Sequence, residues 1–329
     1  MNRTIRTSMM ILFALVAALA PGRGVARADY PERPITMIVP FAAGGPTDVI
    51  ARIVAEHMSR TLGQQVVIEN VAGAGGTTGT LRAAQAAPDG YTLIMGHMGT
   101  HGAAPAAYPG LKYDPRKDFA PIGLAAGTPI LVVARKDFPA KDLKEFIAYL
   151  KANSAKLNEA HAGPGSVSWT TCILFNSLVG AKPTRVVYKG TGPALNDLVA
   201  GHVDYMCDQI VNLVPQIQAG TIKAYAVALP QRSPALPSVP TTKEAGLGDF
   251  QVTAWNAIFA PKGTSPEIVR KLNDALQKAL ADDKTKKRLL ELGSDLTNIS
   301  ARTPEGLAKL VDSEVTRWNK ILKSAEPAK

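Results

Sequence analysis

The feature that most constrains the fold is a unit that recurs along the chain, made of an apolar run, a glycine-rich loop and a helix signal. In "ITMIVPFAAGGPTDVIARIVAEHM" (residues 35–58), the apolar face of the helix is formed by Ile50, Ile53, Val54 and Met58. The unit returns in "VVIENVAGAGGTTGTLRAAQAA", "LNEAHAGPGSVSWTTCILFNSLVG" and "TRVVYKGTGPALNDLVAGH". Strands that alternate with helices through short loops predict an α/β architecture with mainly parallel sheets.

The first 28 residues have the pattern of a signal peptide. Arg3 and Arg6 precede the apolar run "MMILFALVAALA", and "ARA" ends at Ala28 in the small-x-small form of a cleavage site. A retained membrane anchor is the alternative, but the run is shorter than the roughly 20 residues that a membrane span needs. We therefore expect cleavage after Ala28 and a mature protein that works outside the cytoplasm.

Size and charge narrow the classes of partner. About 300 residues remain after cleavage, which predicts two domains or one large one. The formal charge of +10 falls to +6 without the four arginines of the first 28 residues. Because the remaining basic residues are scattered and lack interleaved aromatic residues, nucleic acid is not expected as a partner.

Reactive side chains are few and follow no catalytic pattern. Cys172 and Cys207 permit one disulfide in an oxidising compartment, but the sequence does not decide whether it forms. His97, His101 and His161 lie in predicted loops without zinc-motif spacing, so hydrogen bonding or exposure is favoured over metal binding. With no "GxSxG", "HExxH" or "SxxK" motif, binding is favoured over catalysis. We expect no metal and no cofactor.

The first glycine-rich loop suits an anion. Gly44 and Gly45 allow a tight turn before a helix, where backbone N–H groups and the helix dipole favour negative charge. Thr47 or Asp48 is predicted to cap this helix, with the Asp48 carboxylate facing away from the anion. A single glycine-rich turn is weak evidence, because such turns are common in α/β proteins.

A second loop, "HAGPGSVSWT", has the same character. Gly163 and Gly165 shape the turn, and Ser166 and Ser168 place hydroxyl groups at the start of the next helix. Since neither loop contains Lys or Arg, neutral donors are expected to hold the ligand. Two such loops predict a cleft for a molecule with a carboxylate at each end.

Three further residues are candidates for the cleft. Asp208 follows the apolar "VDYMC" and is a candidate acceptor for a hydroxyl or amine of the ligand, or else a helix cap. Trp255 and Tyr188 are candidates to line the cleft, although aromatic residues more often belong to the core.

Helix ends are clearly signalled elsewhere. Asp142 is followed three residues later by Glu145, which predicts a capped helix in the "DLKEFIAYLKAN" segment. The pairs Ser265-Pro266 and Thr303-Pro304 each predict a cap residue followed by proline in the first helical turn.

Seven stretches in a fixed order resemble one known family. They are "YPERPITMIVPFAAGGPTDVIAR", "VVIENVAGAGGTTG", "APDGYTLIMG", "YDPRKDFAPIGL", "VYKGTGPALNDLVAGHVDYM", "AVALPQRSPALPSVPTTKEAG" and "FAPKGTSPEIVRKLN". Together they cover the chain from about Tyr30 to the last helix. This pattern resembles the extracytoplasmic solute receptors of tripartite tricarboxylate transporters, the Bug family.

The resemblance implies a periplasmic-binding-protein fold, with two α/β domains that close on a ligand cleft like a Venus flytrap. Domain 1 is expected to comprise residues 29–127 plus 253–329, and domain 2 residues 128–252. The implied ligand is a small carboxylate, either a di- or tricarboxylate or an aromatic acid. The implied partners are the membrane subunits of the transporter. A receptor that presents its ligand to a membrane sensor kinase is the alternative, a secreted hydrolase is less favoured, and a monomer is expected.

The resemblance also implies ligand-binding positions, and the loop patterns add others. The family's first loop corresponds to Phe41, Ala42, Ala43, Gly44 and Gly45. Its second loop and acidic position correspond to Ser166, Val167, Ser168 and Asp208. From the chain's own loops we add Thr100, His101 and Trp255. The family often has "PFPPGG" where this chain has "PFAAGG". Because this difference lies in the expected cleft, the ligand of any one relative cannot be assigned to this chain.

Overall fold

The computed structural model describes residues 30–325, so the predicted signal peptide and its cleavage after Ala28 lie outside the described residues. The strands are β1 (Ile35–Val39), β2 (Val66–Asn70), β3 (Thr92–His97), β4 (Phe119–Arg135), β5 (Asn158–His161), β6 (Thr184–Val187), β7 (Tyr205–Gln209), β8 (Ile222–Val227) and β9 (Thr253–Pro261). The helices are α1 (Pro46–Leu62), α2 (Thr77–Ala84), α3 (Ala104–Ala107), α4 (Leu143–Asn153), α5 (Val167–Val179), α6 (Thr191–Ala200), α7 (Ile210–Gln218), α8 (Pro266–Ala281), α9 (Asp283–Glu291) and α10 (Pro304–Ala325). None of the helices between residues 30 and 325 is long and apolar enough to cross a membrane.

One long strand joins the two parts of the sheet. The strand order is β2-β1-β3-β9-β4-β7-β5-β6, and β8 also pairs with β4. β4 pairs with β9 as far as Pro129, and from Ile130 onward it pairs with β7 and β8. The first half of the molecule therefore contains β1, β2, β3 and β9, and the second half contains β5 to β8.

The α/β architecture is confirmed, but the prediction of mainly parallel sheets is wrong at the centre. β1 is parallel to β2 and β3, and β5 is parallel to β6 and β7. β9 is antiparallel to β3 and β4, and β4 is antiparallel to β7 and β8. A strand becomes parallel to its neighbour when a crossover, usually a helix, connects the two. β9 has no such connection to β3 or β4, because the chain reaches it directly from the second half.

The crossings give a natural place for a domain boundary. The chain leaves the first half within β4 and returns at Thr253, the first residue of β9. The division into residues 29–127 plus 253–329 and residues 128–252 follows these crossings and stays a prediction.

Local signals place most helix ends correctly. Asp142 accepts a hydrogen bond from the Glu145 N–H (2.8 Å), Ser265 from the Ile268 N–H (3.3 Å) and Thr303 from the Gly306 N–H (3.1 Å). The predicted cap of α1 is wrong, because Gly45 occupies the cap position and no side chain caps the helix. Pro46 stands first in α1 and has no N–H, which removes one of the donors that a cap would serve.

The two cysteines are neighbours but are not joined. Both are buried free thiols, on α5 and β7, and the Cys207 N–H donates to Cys172 Sγ at 3.0 Å. The disulfide that the sequence left open is therefore absent between these two described residues.

Candidate functional site

The loops after the parallel strands of both halves meet at one cavity. Its volume is about 290 Å³. The lining residues are Phe41, Gly45, Pro46, Thr47, Asp48, His97, Ala162, Ser166, Val167, Ser168, Thr191, Asp208 and Gln209. They lie at or just after the carboxyl ends of β1, β3, β5, β6 and β7, where open α/β sheets place their ligand sites.

Four helices begin at this cavity. The lining includes the first residues of α1, α5 and α6, together with Gln209, the residue before α7. Each helix N-terminus carries partial positive charge and backbone N–H groups without an intrahelical acceptor. The lining residues include no Lys or Arg, so the helix termini are the main source of positive potential here.

The start of α1 is held in place by Asp48, which does not cap the helix. One carboxylate oxygen, Oδ2, accepts from the Gly44 N–H (3.0 Å), and both oxygens bond to the Arg52 guanidinium (2.9 and 3.0 Å). Asn70 also donates to Oδ1 at 2.9 Å. Burial alone would raise the pKa of Asp48, but these hydrogen bonds lower it overall. The charge of Asp48 is therefore matched by Arg52, and the N–H of Thr47 at the helix start is left for a ligand.

Neutral hydrogen-bonding groups lie close together at the start of α5. Ser166 caps the helix by accepting from the Trp169 N–H at 3.3 Å, and Ser168 Oγ accepts from the Ala162 N–H at 3.0 Å. The two hydroxyl oxygens are 3.3 Å apart. Because each oxygen already accepts from a backbone N–H and one hydroxyl hydrogen is used in the bond between the two serines, the other hydroxyl hydrogen remains for an anion.

His97 faces the cavity as a neutral donor. Its Nδ1 accepts from the N–H groups of Gly99 (2.9 Å) and Thr100 (3.1 Å), so the ring hydrogen lies on Nε2. Burial lowers the pKa of His97 to about 4. His161, at the end of β5, follows the same pattern, with its Nδ1 accepting from the Gly163 N–H at 3.0 Å. A strand-final His with Gly two residues later is thus a sequence signal for this ring geometry, but not for the cavity, because His161 does not line it.

Asp208 is the acidic residue of the second half in this cavity. It is fully buried, its Oδ2 accepts from Asn212 Nδ2 at 3.3 Å, and its Oδ1 has no hydrogen-bond partner. Burial raises the pKa of Asp208 to about 6. It does not cap α7, because Gln209 holds the cap position.

Gln209 and Thr191 are lining residues that the sequence did not single out. Gln209 Oε1 accepts from Thr128 Oγ1 (2.6 Å) and Asn256 Nδ2 (2.8 Å), which links β7 to the two strands that connect the halves. Asn256 Oδ1 in turn accepts from Thr47 at 3.1 Å. This network ties the floor of the cavity to the start of α1.

Thr100, His101 and Trp255, which the sequence placed in the site, do not line the cavity. Residues 99–103 form a π-helical turn that directs the His101 ring inward, where it stacks on Phe259 with ring centres 4.1 Å apart. Thr100 Oγ1 lies 2.9 Å from His101 Nδ1. Trp255 Nε1 donates to Glu314 at 3.2 Å. All three residues are buried behind the site, and Tyr188 also lies outside the lining.

Ala42, Ala43 and Gly44 lie beside the cavity, where the two halves touch. The Ala42 N–H donates to the Lys189 carbonyl at 3.0 Å. A Cβ added at Gly192 would lie 2.5 Å from the Ala43 carbonyl oxygen. A second contact joins Gly75 to the backbone at Pro164. We call the Gly192–Ala43 and Gly75–Pro164 contacts the glycine seams.

The comparisons with known proteins agree with this architecture. The family model for the tripartite tricarboxylate transporter family receptor matches residues 50–326. The chain belongs to this family. The resemblance inferred from the seven sequence stretches is thereby confirmed.

Solved structures are similar over nearly the whole chain. MatC from Rhodopseudomonas palustris, solved with bound malate, is 52% identical with a TM-score of 0.87, and the alignment covers 89% of this chain and 100% of MatC. The periplasmic binding protein BugD is 45% identical with a TM-score of 0.87, covering 90% and 98% of the two chains. Another R. palustris protein, solved with adipate, is 34% identical with a TM-score of 0.86, covering 90% and 98%. The fold is that of the periplasmic binding proteins, with two α/β domains around a cleft, and the protein is a solute-binding receptor of this family.

Proposed function

We propose that this protein captures a small dicarboxylate in the cavity between its halves and delivers it to the membrane subunits of a tripartite tricarboxylate transporter. The observation that carries the proposal is the convergence of four helix N-termini and neutral donors on one cavity. The family membership and the malate and adipate bound by similar proteins support the same ligand class.

A dicarboxylate would use both ends of the cavity. One carboxylate meets the start of α1, where Gly45 and Thr47 offer backbone N–H groups. The other meets the start of α5, where the Ser166–Ser168 pair offers one hydroxyl hydrogen and the N–H groups of Val167 and Ser168 have no intrahelical acceptor. Hydrogen bonds from neutral donors to a charged group contribute about 1.5–3 kcal/mol each, enough for reversible capture without a fixed cation.

Closure of the halves on the ligand is the expected mode of capture. Residues 29–127 plus 253–329 would form one domain and residues 128–252 the other, with the glycine seams meeting as the cleft closes. The protein would act as a monomer in the periplasm after removal of residues 1–28.

Binding to the mature chain, residues 29–329, tests the proposal. We expect malate, adipate and tricarboxylates, added singly, to raise the melting temperature, and the best of them to give a saturable heat in calorimetry. A ligand at about 100 times its Kd stabilises the folded state by about 2.7 kcal/mol. The diamide of each acid is the neutral control. If no carboxylate raises the melting temperature above that of its diamide, the proposal is wrong.

One pair of serine variants locates the site. Ser168→Ala removes a hydroxyl group at the cavity, and we expect the Kd for the best dicarboxylate to rise about tenfold or more, because a hydrogen bond to a charged group is lost. Ser177→Ala on the same helix, at an exposed position, is the control and should leave the Kd unchanged. Equal Kd values for both variants would place the ligand elsewhere.

Delivery needs a separate assay. We expect vesicles that contain the membrane subunits to accumulate radiolabelled dicarboxylate only when the loaded receptor is supplied. Uptake that is equal without the receptor would refute the delivery step while leaving capture intact.

A further inference from the structure

Asp208 is a lining carboxylate without an ion-pair partner among the described residues, although the Asn212 amide donates to its Oδ2 at 3.3 Å. It is fully buried, and Oδ1 has no partner among the described residues. The other lining carboxylate, Asp48, is paired with Arg52. A ligand carboxylate beside an ionised Asp208 would bring two like charges together in a buried site, where they cannot both stay ionised.

The groups around Asp208 must also be considered as places where a proton could be taken up when a ligand carboxylate binds. β4 places Leu131 opposite it, and α7 carries no titratable residue. The titratable groups on the remaining neighbouring elements and across the cavity are Glu159 and His161 on β5, Cys172 on α5, Asp197 on α6, Tyr205 and Cys207 on β7, and Asp48 and His97.

Apart from Glu159, none of these groups is suited to gain a proton from ligand binding near neutral pH. Burial lowers the pKa of His97 and His161 to about 4, and protonation of His97 at Nδ1 would break its two bonds from backbone N–H groups. Burial raises the pKa of both thiols and of the Tyr205 hydroxyl, so these groups keep their protons. Asp197 is exposed, with its pKa lowered by Tyr188, and is not part of the lining.

Glu159 titrates near neutrality but lies outside the cavity. Burial raises the pKa of Glu159 to about 7, and its carboxylate bonds to Asn176 and Tyr205 in the core of the second half. Because it does not line the cavity, it makes no direct contact with a ligand bound there. Asp208, whose pKa burial raises to about 6, is then the group whose state a ligand can shift.

We propose that this site takes up one proton from solvent as it binds a dicarboxylate, and that Asp208 donates this proton from Oδ1 in a hydrogen bond to a carboxylate oxygen of the ligand. The inference rests on the proposed function and adds a specificity to it. The protonated Asp208 favours a ligand group that accepts a hydrogen bond, whereas an ionised Asp208 would favour a hydroxyl or an amine. Binding is then stronger in mildly acidic surroundings.

Calorimetry of the mature chain with malate and adipate tests the inference. Titrations at about pH 7.5 in two buffers of different ionisation enthalpy give the number of protons taken up, and we expect about one. Between about pH 7 and about pH 8.5 the Kd should rise about tenfold per pH unit, because one proton is linked to each binding event. Zero proton uptake with a pH-independent Kd would overturn the inference.

Two matched variants complete the test. Asp208→Asn places an amide donor at the same position and should abolish both the proton uptake and the pH dependence, so that at about pH 8.5 it binds more tightly than the unmodified protein. Glu159→Gln, an acid-to-amide change outside the cavity, should retain both. Proton uptake that persists in Asp208→Asn would assign the proton to another group. If neither acid binds at any pH, the proposed function itself fails, which is a different result from binding without proton uptake.

Discussion

Gly192 tests whether the halves must close to hold the ligand. A Cβ at this position would lie 2.5 Å from the Ala43 carbonyl oxygen and 3.1 Å from the Gly45 nitrogen, both in the opposite half. Since the first contact is too short, the seam would have to open by at least about half an ångström in Gly192→Ala. Overpacking of this kind costs about 1–3 kcal/mol. If the cost falls only on the closed form, the Kd should rise by roughly 5- to 150-fold.

The open form should not suffer from the same change. Gly192 is the second residue of α6, and alanine is more favourable than glycine in a helix by up to about 1 kcal/mol. We therefore expect denaturant unfolding without ligand to give an equal or higher free energy of unfolding for Gly192→Ala, while calorimetry with the best dicarboxylate gives the weaker binding.

Gly110→Ala is the matched control, because no atom lies within 4 Å of a Cβ added there. Its Kd should match that of the unmodified protein. An unchanged Kd in Gly192→Ala would refute the requirement for closure at this seam. A loss of folding stability as large as the loss of affinity would instead show that the two halves are already fixed against each other without ligand.

Two further predictions concern buried carboxylates. The pKa of Glu159 is raised to about 7 in the folded protein from an ordinary value of 4.5, so its contribution to stability is lost as the pH rises through this range. We therefore expect the free energy of unfolding of Glu159→Gln to increase relative to that of the unmodified protein from about pH 4.5 to pH 7 and then to level off. A difference in this free energy that stays constant with pH, measured by denaturant unfolding, would contradict the prediction. Glu314 accepts hydrogen bonds from the indole N–H groups of Trp255 and Trp318. Glu314→Ala should lower the free energy of unfolding by about 2–5 kcal/mol because two buried donors lose their acceptor, whereas the exposed Glu305→Ala on the same helix should change it by less than about 1 kcal/mol.

Local features of the fold could be predicted from the sequence because their causes are local. The caps at Asp142, Ser265 and Thr303 depend on a side chain and a backbone N–H about three residues away, and all three form. The loop glycines were also recognised as turn positions, and Gly44 and Gly163 adopt positive φ angles.

The parts that could not be predicted depend on how distant segments meet. His97 and His101 are four residues apart in the sequence, yet His97 faces the cavity whereas His101 lies in a π-helical turn that directs its ring onto Phe259. Thr191 and Gln209 join the site only because the ends of β6 and β7 converge with those of the first half. Nothing in these two residue types indicates that they line the cavity.

β4 belongs to both halves, and this has a consequence for how the protein unfolds. The first part of its 17 residues is hydrogen-bonded to β9 and the second part to β7 and β8. Loss of either half would strip one stretch of the same strand of its partners and expose backbone groups that are buried in the native sheet. The free energies of the two halves are therefore coupled through a shared strand, which favours a single cooperative unfolding transition over two independent ones.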